Sequence, residues 1–466
     1  MSCLRTRSRW SNRAPLRCRP VEYPNIAWPV EQKTRRPIRT RANPNPPNMQ
    51  AGAEPNHRSP GLKIASIRTK NEPLDCAACI ARDTVDSLAS DNTSLTVLGC
   101  EGSASATTQS VAQLILKPRG LWPASRDARF AAAVTKHLAS CQYDFVVSQT
   151  LVTGCNLFFA QEGVHAEWRA QQRRVTSGFS QLIAAFHPRH RHRLAAERAM
   201  YESTTLRAVI CNSQMVKADI QRHFDIDAAK LRVILSGVDS TVFHPGLREI
   251  HRAETRKALR IPKAAPVALF VGSGFERKGL IGFLMGLADQ EGHGPLTRES
   301  VRGIVVGHDK HLVRFQSFAD QLGLSDRVTF VGGVDDVKPF YAAADVFVLP
   351  TLYDPLPNAC LEAMACGLPT ITSTGSGAAE LISNGVEGFV VDALDTPAIA
   401  DAIGAALDSA MTDNQMGLNA AKRVAGLTPR NMAAAYVALY RELLGRPALS
   451  AAQSSPLSPP PLGHVK

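Results

Sequence analysis

Asp345–Gly367, DVFVLPTLYDPLPNACLEAMACG, reads as a strand, a turn and a helix in immediate succession. Val346–Leu349 is a short unbroken apolar run, the pattern of a strand buried on both faces. Pro350, Pro355 and Pro357 interrupt it, and a helix begins near Asn358. One such unit says little. Its meaning comes from repetition along the chain.

From Leu62 onward, short apolar runs alternate with longer stretches of helical period, the signal for βαβ units and parallel sheets. Two blocks are legible. In the first, strands are expected at Leu62–Ile67, Leu95–Leu98, Asp144–Ser148, Asn156–Ala160, Ala208–Cys211 and Arg232–Leu235. Between them Phe130, Val134 and Leu138 share one helix face, as do Val216, Ile220 and Phe224 behind a Ser213 N-cap. The second block places strands at Val267–Val271, Gly303–Val306, Val328–Val331, Val346–Leu349, Thr370–Thr372 and Phe389–Val391. Leu235–Pro262, with Gly237, Pro245 and Gly246, reads as the connection between blocks. At the far end Thr428-Pro429 opens a helix striped with Met432, Tyr436, Leu439 and Leu443, and Gly445 stops it.

The net charge of +12 is not spread over this pattern. Residues 1–60 hold twelve Lys and Arg against three Asp and Glu, which leaves only +3 for the rest. That leader also carries ten of the 30 prolines and no apolar run, so it is expected to be disordered, and no nucleic-acid partner is expected. It lacks the apolar centre of a secretory signal. The most apolar stretch, Phe145–Ala160, is broken by Ser148, Gln149, Thr150, Thr153 and Asn156, so no membrane span is expected. Ten scattered cysteines fit a reduced, cytoplasmic protein, and the isolated Cys76–Cys79 pair lacks a second pair at zinc-ribbon spacing.

Chemistry is expected where strands of such blocks end. Asp354 and Glu362 stand eight apart, one in the loop and one about a turn into the helix. A helix start offers free N–H groups and partial positive charge to a diphosphate. Pro355 and Pro357 lack that donor, leaving the N–H groups of Leu356, Asn358 and Ala359. The two oxygens of Glu362 suit the vicinal hydroxyls of a ribose. A solvated loop acid and a dipole-favoured first-turn glutamate remain the plain alternative. After Val267–Val271 comes GSGFERKG, where Gly272 and Gly274 let the backbone approach a ligand and Arg277 and Lys278 add charge. Arg277 stands where a dinucleotide fingerprint needs its third glycine, which argues against a nicotinamide-dependent oxidoreductase.

These segments together resemble a known family. The D-x7-E element of Asp354 and Glu362 resembles the E-x7-E signature of family 4 retaining glycosyltransferases. FVGSGFERKG, VGHDK (306–310) and FVGGVDDVKPFYAAADVFVLP are similar to other blocks of their donor domain. GCNLFFAQEGVHAEW (154–168), ERAMY (197–201) and VICNSQMVKADIQRHF (209–224) are similar to the lipopolysaccharide-core glucosyltransferases of Gram-negative bacteria.

The resemblance implies an α/β GT-B fold: two Rossmann-like domains facing a cleft, the last helix crossing back to the first domain. Its expected parts are a leader (1–60), an acceptor-side domain (61–245), a nucleotide-sugar domain (246–428), the returning helix (429–445) and a disordered tail (446–466). It implies transfer of a hexose from a nucleotide-sugar, a UDP-sugar favoured, to a lipid-linked saccharide such as the lipopolysaccharide core. Configuration would be retained, with no cofactor and no metal. Lys278, Asp354 and His165 become the catalytic candidates. Gly274, Arg277, Lys278, Asp354, Leu356, Asn358, Ala359 and Glu362 become donor-binding, and Asn156, Glu162 and His165 acceptor-side.

The departures are specific. Asp354 is one methylene shorter than the family's glutamate, Ser273 replaces a frequent arginine, and Asn156 and Glu162 replace frequent aspartates. Ile67–Cys79 lacks the usual Gly-Gly loop, which keeps a catalytically impaired nucleotide-sugar-binding protein as the alternative. Arg169, Arg173 and Arg174 with HPRHRHR (187–193) form a basic stretch, expected either as a solvated face or as a surface for an anionic membrane. The protein is accordingly expected at the inner face of the cytoplasmic membrane.

Overall fold

The computed structural model describes residues 62–68, 93–99, 111–116, 123–175, 188–289 and 301–445. The leader, the Cys76–Cys79 pair, most of the segment expected to carry a Gly-Gly loop and the tail lie outside the described residues. The described elements, in chain order, are β1 Leu62–Ile67, β2 Thr93–Gly99, β3 Val111–Ile115, α1 Pro123–Ser140, β4 Phe145–Ser148, β5 Leu157–Phe159, α2 His165–Arg173, α3 Pro188–Tyr201, β6 Ala208–Cys211, α4 Gln214–His223 and β7 Leu231–Val233. A second series follows: α5 Leu247–Ala258, β8 Val267–Val271, α6 Leu280–Ala288, β9 Arg302–Val306, α7 Leu312–Gln321, β10 Val328–Gly332, α8 Lys338–Ala343, β11 Val346–Leu349, α9 Asn358–Ala365, β12 Thr370–Ser373, β13 Gly388–Val391, α10 Thr396–Thr412, α11 Gln415–Val424 and α12 Pro429–Leu443.

They form two wholly parallel sheets, ordered β3-β2-β1-β4-β5-β6-β7 and β10-β9-β8-β11-β12-β13. In each, the chain starts near the middle, winds to one edge, then returns to lay its next strand beside the first. The doubly wound Rossmann-like arrangement expected for a GT-B fold is therefore present twice. In the second sheet the order reverses between β8 and β11, which opens a crevice at their carboxyl ends.

Alternation decides which residues face which layer. On the first sheet Ala65, Ile67, Val146, Phe158 and Val209 face a core shared with Phe130 and Val134 of α1 and Val216 and Ile220 of α4. Ile64, Phe145, Leu157, Phe159 and Ile210 face the other way, and there they meet Met432, Tyr436, Leu439, Tyr440 and Leu443 of α12. Tyr440 packs edge-on to Phe145 and Tyr436 edge-on to Phe159, with ring centroids 5.7 and 5.4 Å apart. Each such buried side chain contributes about 1.5–3 kcal/mol of transfer free energy, so the last helix is integral to the first domain. Its start is capped as its sequence predicts: the Thr428 hydroxyl accepts from Asn431 N–H at 3.1 Å and Pro429 opens the first turn.

The stretch Leu235–Pro262, expected only as a connection, contains helix α5, and its Leu247 belongs to the second core. The chain passes between domains at Gly237 and again at Thr428, and the two crossings lie side by side. Val238 N–H donates to Leu427 O at 2.8 Å, and a Cβ on Gly237 would lie 2.5 Å from Pro429 N. Only glycine fits there.

Candidate active site

The second sheet's reversal point is where Arg277, Lys278 and Asp354 come together. Beyond β8 the chain turns through Gly272 and Gly274 and reaches α6 at Gly279, whose φ of 77° is left-handed. A Cβ on Gly279 would lie 1.8 Å from Pro350 O, so glycine lets the start of α6 meet the end of β11. Leu352 N–H and the Thr351 hydroxyl both donate to Arg277 O, at 2.9 and 2.8 Å. Two loops far apart in sequence are thus tied together by their backbones.

Their side chains converge. Lys278 Nζ lies 2.5 Å from Asp354 Oδ2, and Arg277 Nη1 lies 3.3 Å from the same oxygen. Arg277 also donates to Tyr353 O at 3.1 Å. The Lys278 stem crosses Gly272, where a Cβ would sit 3.2–3.4 Å from Cγ, Cδ and Cε. The Asp354 side chain is 8% exposed, Lys278 13% and Arg277 39%, so the cluster opens to solvent on its cationic side. Beside it α9 begins at Asn358 with no side chain capping its first turn. Leu356 is buried, Ala359 half-buried and Asn358 exposed. One turn on, half-buried Glu362 accepts from the buried Tyr341 phenol at 2.8 Å, which fixes one carboxylate oxygen.

The neighbouring loop is also built in. Phe275 N–H donates to Asp309 Oδ2 at 2.7 Å, and Ser273 Oγ accepts from His308 N–H at 3.1 Å. Ser273 therefore stitches the loops after β8 and β9 together. Gly274, with φ of 76°, has open space where a side chain would project.

The first-domain candidates are distributed differently. Glu162 lies on the loop after β5 and His165 opens α2 directly behind it, and that loop touches the Asp354 loop: a Cβ on Gly163 would lie 2.6 Å from the Tyr353 phenol oxygen. His165 is stacked on His190, with Nε2 and Nδ1 3.0 Å apart, and its backbone N–H donates to Glu197 Oε1 at 2.6 Å. Glu162 is exposed and pairs with Arg193 at 2.5 Å. Asn156 sits at the opposite, amino end of β5, where its Oδ1 accepts from Val146 N–H at 2.8 Å and its Nδ2 donates to Thr205 O at 3.4 Å. The fold does not bring Asn156 to the cleft with Lys278 and Asp354; its amide braces the sheet.

The basic stretch is also redistributed. Arg169 is buried and donates to Gln172, which corrects its reading as part of a surface face. Arg174 makes a two-pronged pair with Asp392 of the second domain at 2.7 and 2.9 Å. Residues 176–187 lie outside the described residues.

Several site residues escaped sequence reasoning. Tyr341 and Asp309 carried no signal beyond their motifs. Tyr353 and Asp219 meet across 134 positions, the phenol donating to Asp219 Oδ2 at 3.0 Å. Burial pushes the Tyr353 hydroxyl up, and burial, aided by the nearby Glu167 charge, pushes the Asp219 carboxyl up to about 6. Asp219 does leave a trace in the sequence, because an acid beside Val216 and Ile220 sits on the inward face of its helix.

Residues 251–423 match the family model for glycosyl transferases group 1, and residues 80–242 that for glycosyltransferase family 4. The lipopolysaccharide glucosyltransferase WaaG of Escherichia coli (strain K12) is 30% identical over 273 residues, covering 57% of this chain and 68% of WaaG. A WaaG crystal structure superposes with a TM-score of 0.66 at 23% identity, covering 81% of this chain and 99% of that one. A D-inositol 3-phosphate glycosyltransferase of Corynebacterium urealyticum is 29% identical, covering 53% of this chain and 59% of its own length. The Anabaena protein Alr3699/HepE, solved in complex with UDP-glucose, has a TM-score of 0.60 at 18% identity, covering 82% of this chain and 99% of its own.

Proposed function

The chain belongs to the glycosyltransferases whose group 1 and family 4 domains it carries, and from that premise we propose that it moves a hexose from a UDP-sugar to a lipid-linked saccharide such as the lipopolysaccharide core, with retention of configuration. The observation that carries this reading is the convergence of Lys278 and Arg277 on Asp354 beside the uncapped start of α9. When the glycosidic bond to a diphosphate breaks, negative charge grows on the leaving group. Cations and helix N–H groups fixed around it stabilise that charge without reorganising. An ammonium has three donors; Asp354 takes one and orients the others. That set of groups is why no metal is invoked for the leaving diphosphate.

Glu362, braced by Tyr341, is assigned to the ribose hydroxyls and Asp354 to the sugar. His165, at the start of α2 behind the loop that meets Tyr353, is assigned to the acceptor side. The HepE complex supports a uridine donor, and the likeness to WaaG supports a lipopolysaccharide acceptor. Delivery of that acceptor at an anionic leaflet suits the exposed Arg191 and His192 of α3. Among the described residues no helix is long and apolar enough to cross a membrane.

The test is a panel of nucleotide-sugars followed by nucleoside-diphosphate release, with core oligosaccharide and a phosphorylated polyol as rival acceptors. UDP release that depends on core oligosaccharide is expected, and Glu362→Gln should weaken UDP affinity by about 1.5–3 kcal/mol. Tight UDP binding with no release from any donor would leave a nucleotide-sugar-binding protein instead.

A further inference from the structure

Tyr353 stands one residue before Asp354, yet its phenol leaves the second domain altogether. It accepts from Val164 N–H at 2.9 Å and donates to Asp219 Oδ2 on α4 at 3.0 Å. Tyr353 is 3% exposed and so is Asp219. The other Asp219 oxygen takes Arg222 at 2.9 Å, and Arg222 shares Glu167 Oε2 with His223 at 3.0 and 2.9 Å. The tyrosine therefore enters a first-domain network that is already tied down.

A second contact reaches the same helix. Glu380 of the second domain receives the N–H groups of Gln214 and Met215, at 3.0 and 2.6 Å, across the first turn of α4. A carboxylate is favoured there because those donors have no partner within the helix and carry the positive end of its dipole. Burial raises the Glu380 carboxyl, and the two N–H groups work against that rise.

The two contacts come from two segments that are bridged to each other. Asp354 N–H donates to Gly375 O and Gly377 N–H donates to Asp354 O, both at 2.9 Å, so residues 354 and 376 form a bridge. A Cβ on Gly377 would lie 1.7 Å from Pro355 O and 2.7 Å from Ser213 Cβ, so this bridge is pressed against the start of α4. The helix is gripped at its first turn by Glu380 and about one turn later by Tyr353, beside Asp354.

We propose that α4 is the register element for the donor side of the cleft, with Tyr353 and Glu380 as positioning residues that set Asp354, and the Lys278 it holds, relative to the first domain. The proposal rests on the reading of Asp354 as a donor-site carboxylate. A hydrogen bond between buried groups is directional and costly to leave unmade, so it fixes position in a way that apolar contact does not.

The test uses the full chain with Tyr353→Phe, Asp219→Asn, Glu380→Ala and their pairs. Spin labels at exposed Glu202 and Met411 report the distance between domains, calorimetry reports UDP affinity, and UDP release from UDP-glucose reports turnover. The Tyr353→Phe/Glu380→Ala pair should broaden the distance distribution and lower turnover about tenfold or more while UDP affinity stays within about threefold. Tyr353→Phe and Asp219→Asn together should cost less than the sum of the two alone, because the hydrogen bond between them is counted in both single variants. An unchanged distance distribution in the Tyr353→Phe/Glu380→Ala pair, or additive losses in the Tyr353→Phe/Asp219→Asn pair, overturns the proposal. A wild-type chain that binds no UDP refutes the donor assignment instead, and the distance measurement still decides whether α4 holds the register.

Discussion

Two aspartates flank strand β11, and they are partnered in opposite ways. Asp345, at the amino end, has a fully buried side chain that meets Arg248, Arg252 and Arg256 at 2.7–2.9 Å and accepts from Val267 N–H. Those arginines, four apart on one face of α5, also donate to the carbonyls of Ala342, Ala343 and Ala344 at the end of α8. Asp354, beyond the carboxyl end, holds Lys278 and Arg277, whose first loyalty is to a loop rather than to helix carbonyls. At one end charge is consumed in closing the fold. At the other the same pairing leaves cations facing a crevice, because in a parallel sheet only the carboxyl ends meet the reversal of strand order.

The sharpest way to break this comparison is at Asp345. Asp345→Asn leaves three clustered guanidiniums without their anion, and one of them, Arg256, is nearly fully buried. A loss of about 3–5 kcal/mol in unfolding free energy is expected, read by denaturant titration. A loss below about 1 kcal/mol would show that the helix carbonyls alone hold the arginines.

Lys278→Ala probes the open end, and its effect belongs to the reaction rather than the fold. Turnover should fall by about 2.7–4 kcal/mol, the scale of one preorganised donor, with a much smaller change in unfolding free energy than at Asp345. Steady-state kinetics beside thermal unfolding separate the two. Wild-type turnover in a folded variant would remove Lys278 from the diphosphate.

A third buried acid supplies the contrast of a carboxylate that makes no ion pair with an arginine among the described residues. Glu197 is 1% exposed; Oε1 takes His165 N–H at 2.6 Å, and the Arg193 charge and the Ala166 N–H also act on the carboxylate. Burial pushes its carboxyl up to about 7. The folded state then binds this proton more tightly than the unfolded chain, so the stability it contributes is present in acid and lost as pH rises through about 7. Between pH ~5 and ~8 the wild type should lose about 1–3 kcal/mol that Glu197→Gln does not lose, measured as unfolding free energy against pH. Parallel pH curves for the two proteins would sink this assignment.

The sequence is legible where structure is local. Strands β1, β8 and β11 stand at the residues their apolar runs predict, and helix α9 begins at Asn358 after its prolines. Strand β3 is not legible, because Gln113 interrupts its short run and, among the described strands, it lies at a sheet edge beside β2. Of the site, Lys278, Arg277, Asp354 and Glu362 are legible because glycines, prolines and spacing frame them. The partners that hold them are not. The four-residue spacing of Arg248, Arg252 and Arg256 marks a helix face but does not name Asp345, and nothing near Tyr353 points to Asp219. Contacts between distant segments become visible only once both sheets are formed.

Helix α12 gives the chain an order of assembly that differs from its order in space. The second core draws on no described residue beyond Leu427, so it can close while one face of the first sheet still lacks its cover. Ile64, Phe145, Leu157 and Ile210 stay bare until Met432–Leu443 emerge, so the domain synthesised first is the last to be finished. For that interval the nascent chain presents an apolar surface to chaperones and to its neighbours on the polysome.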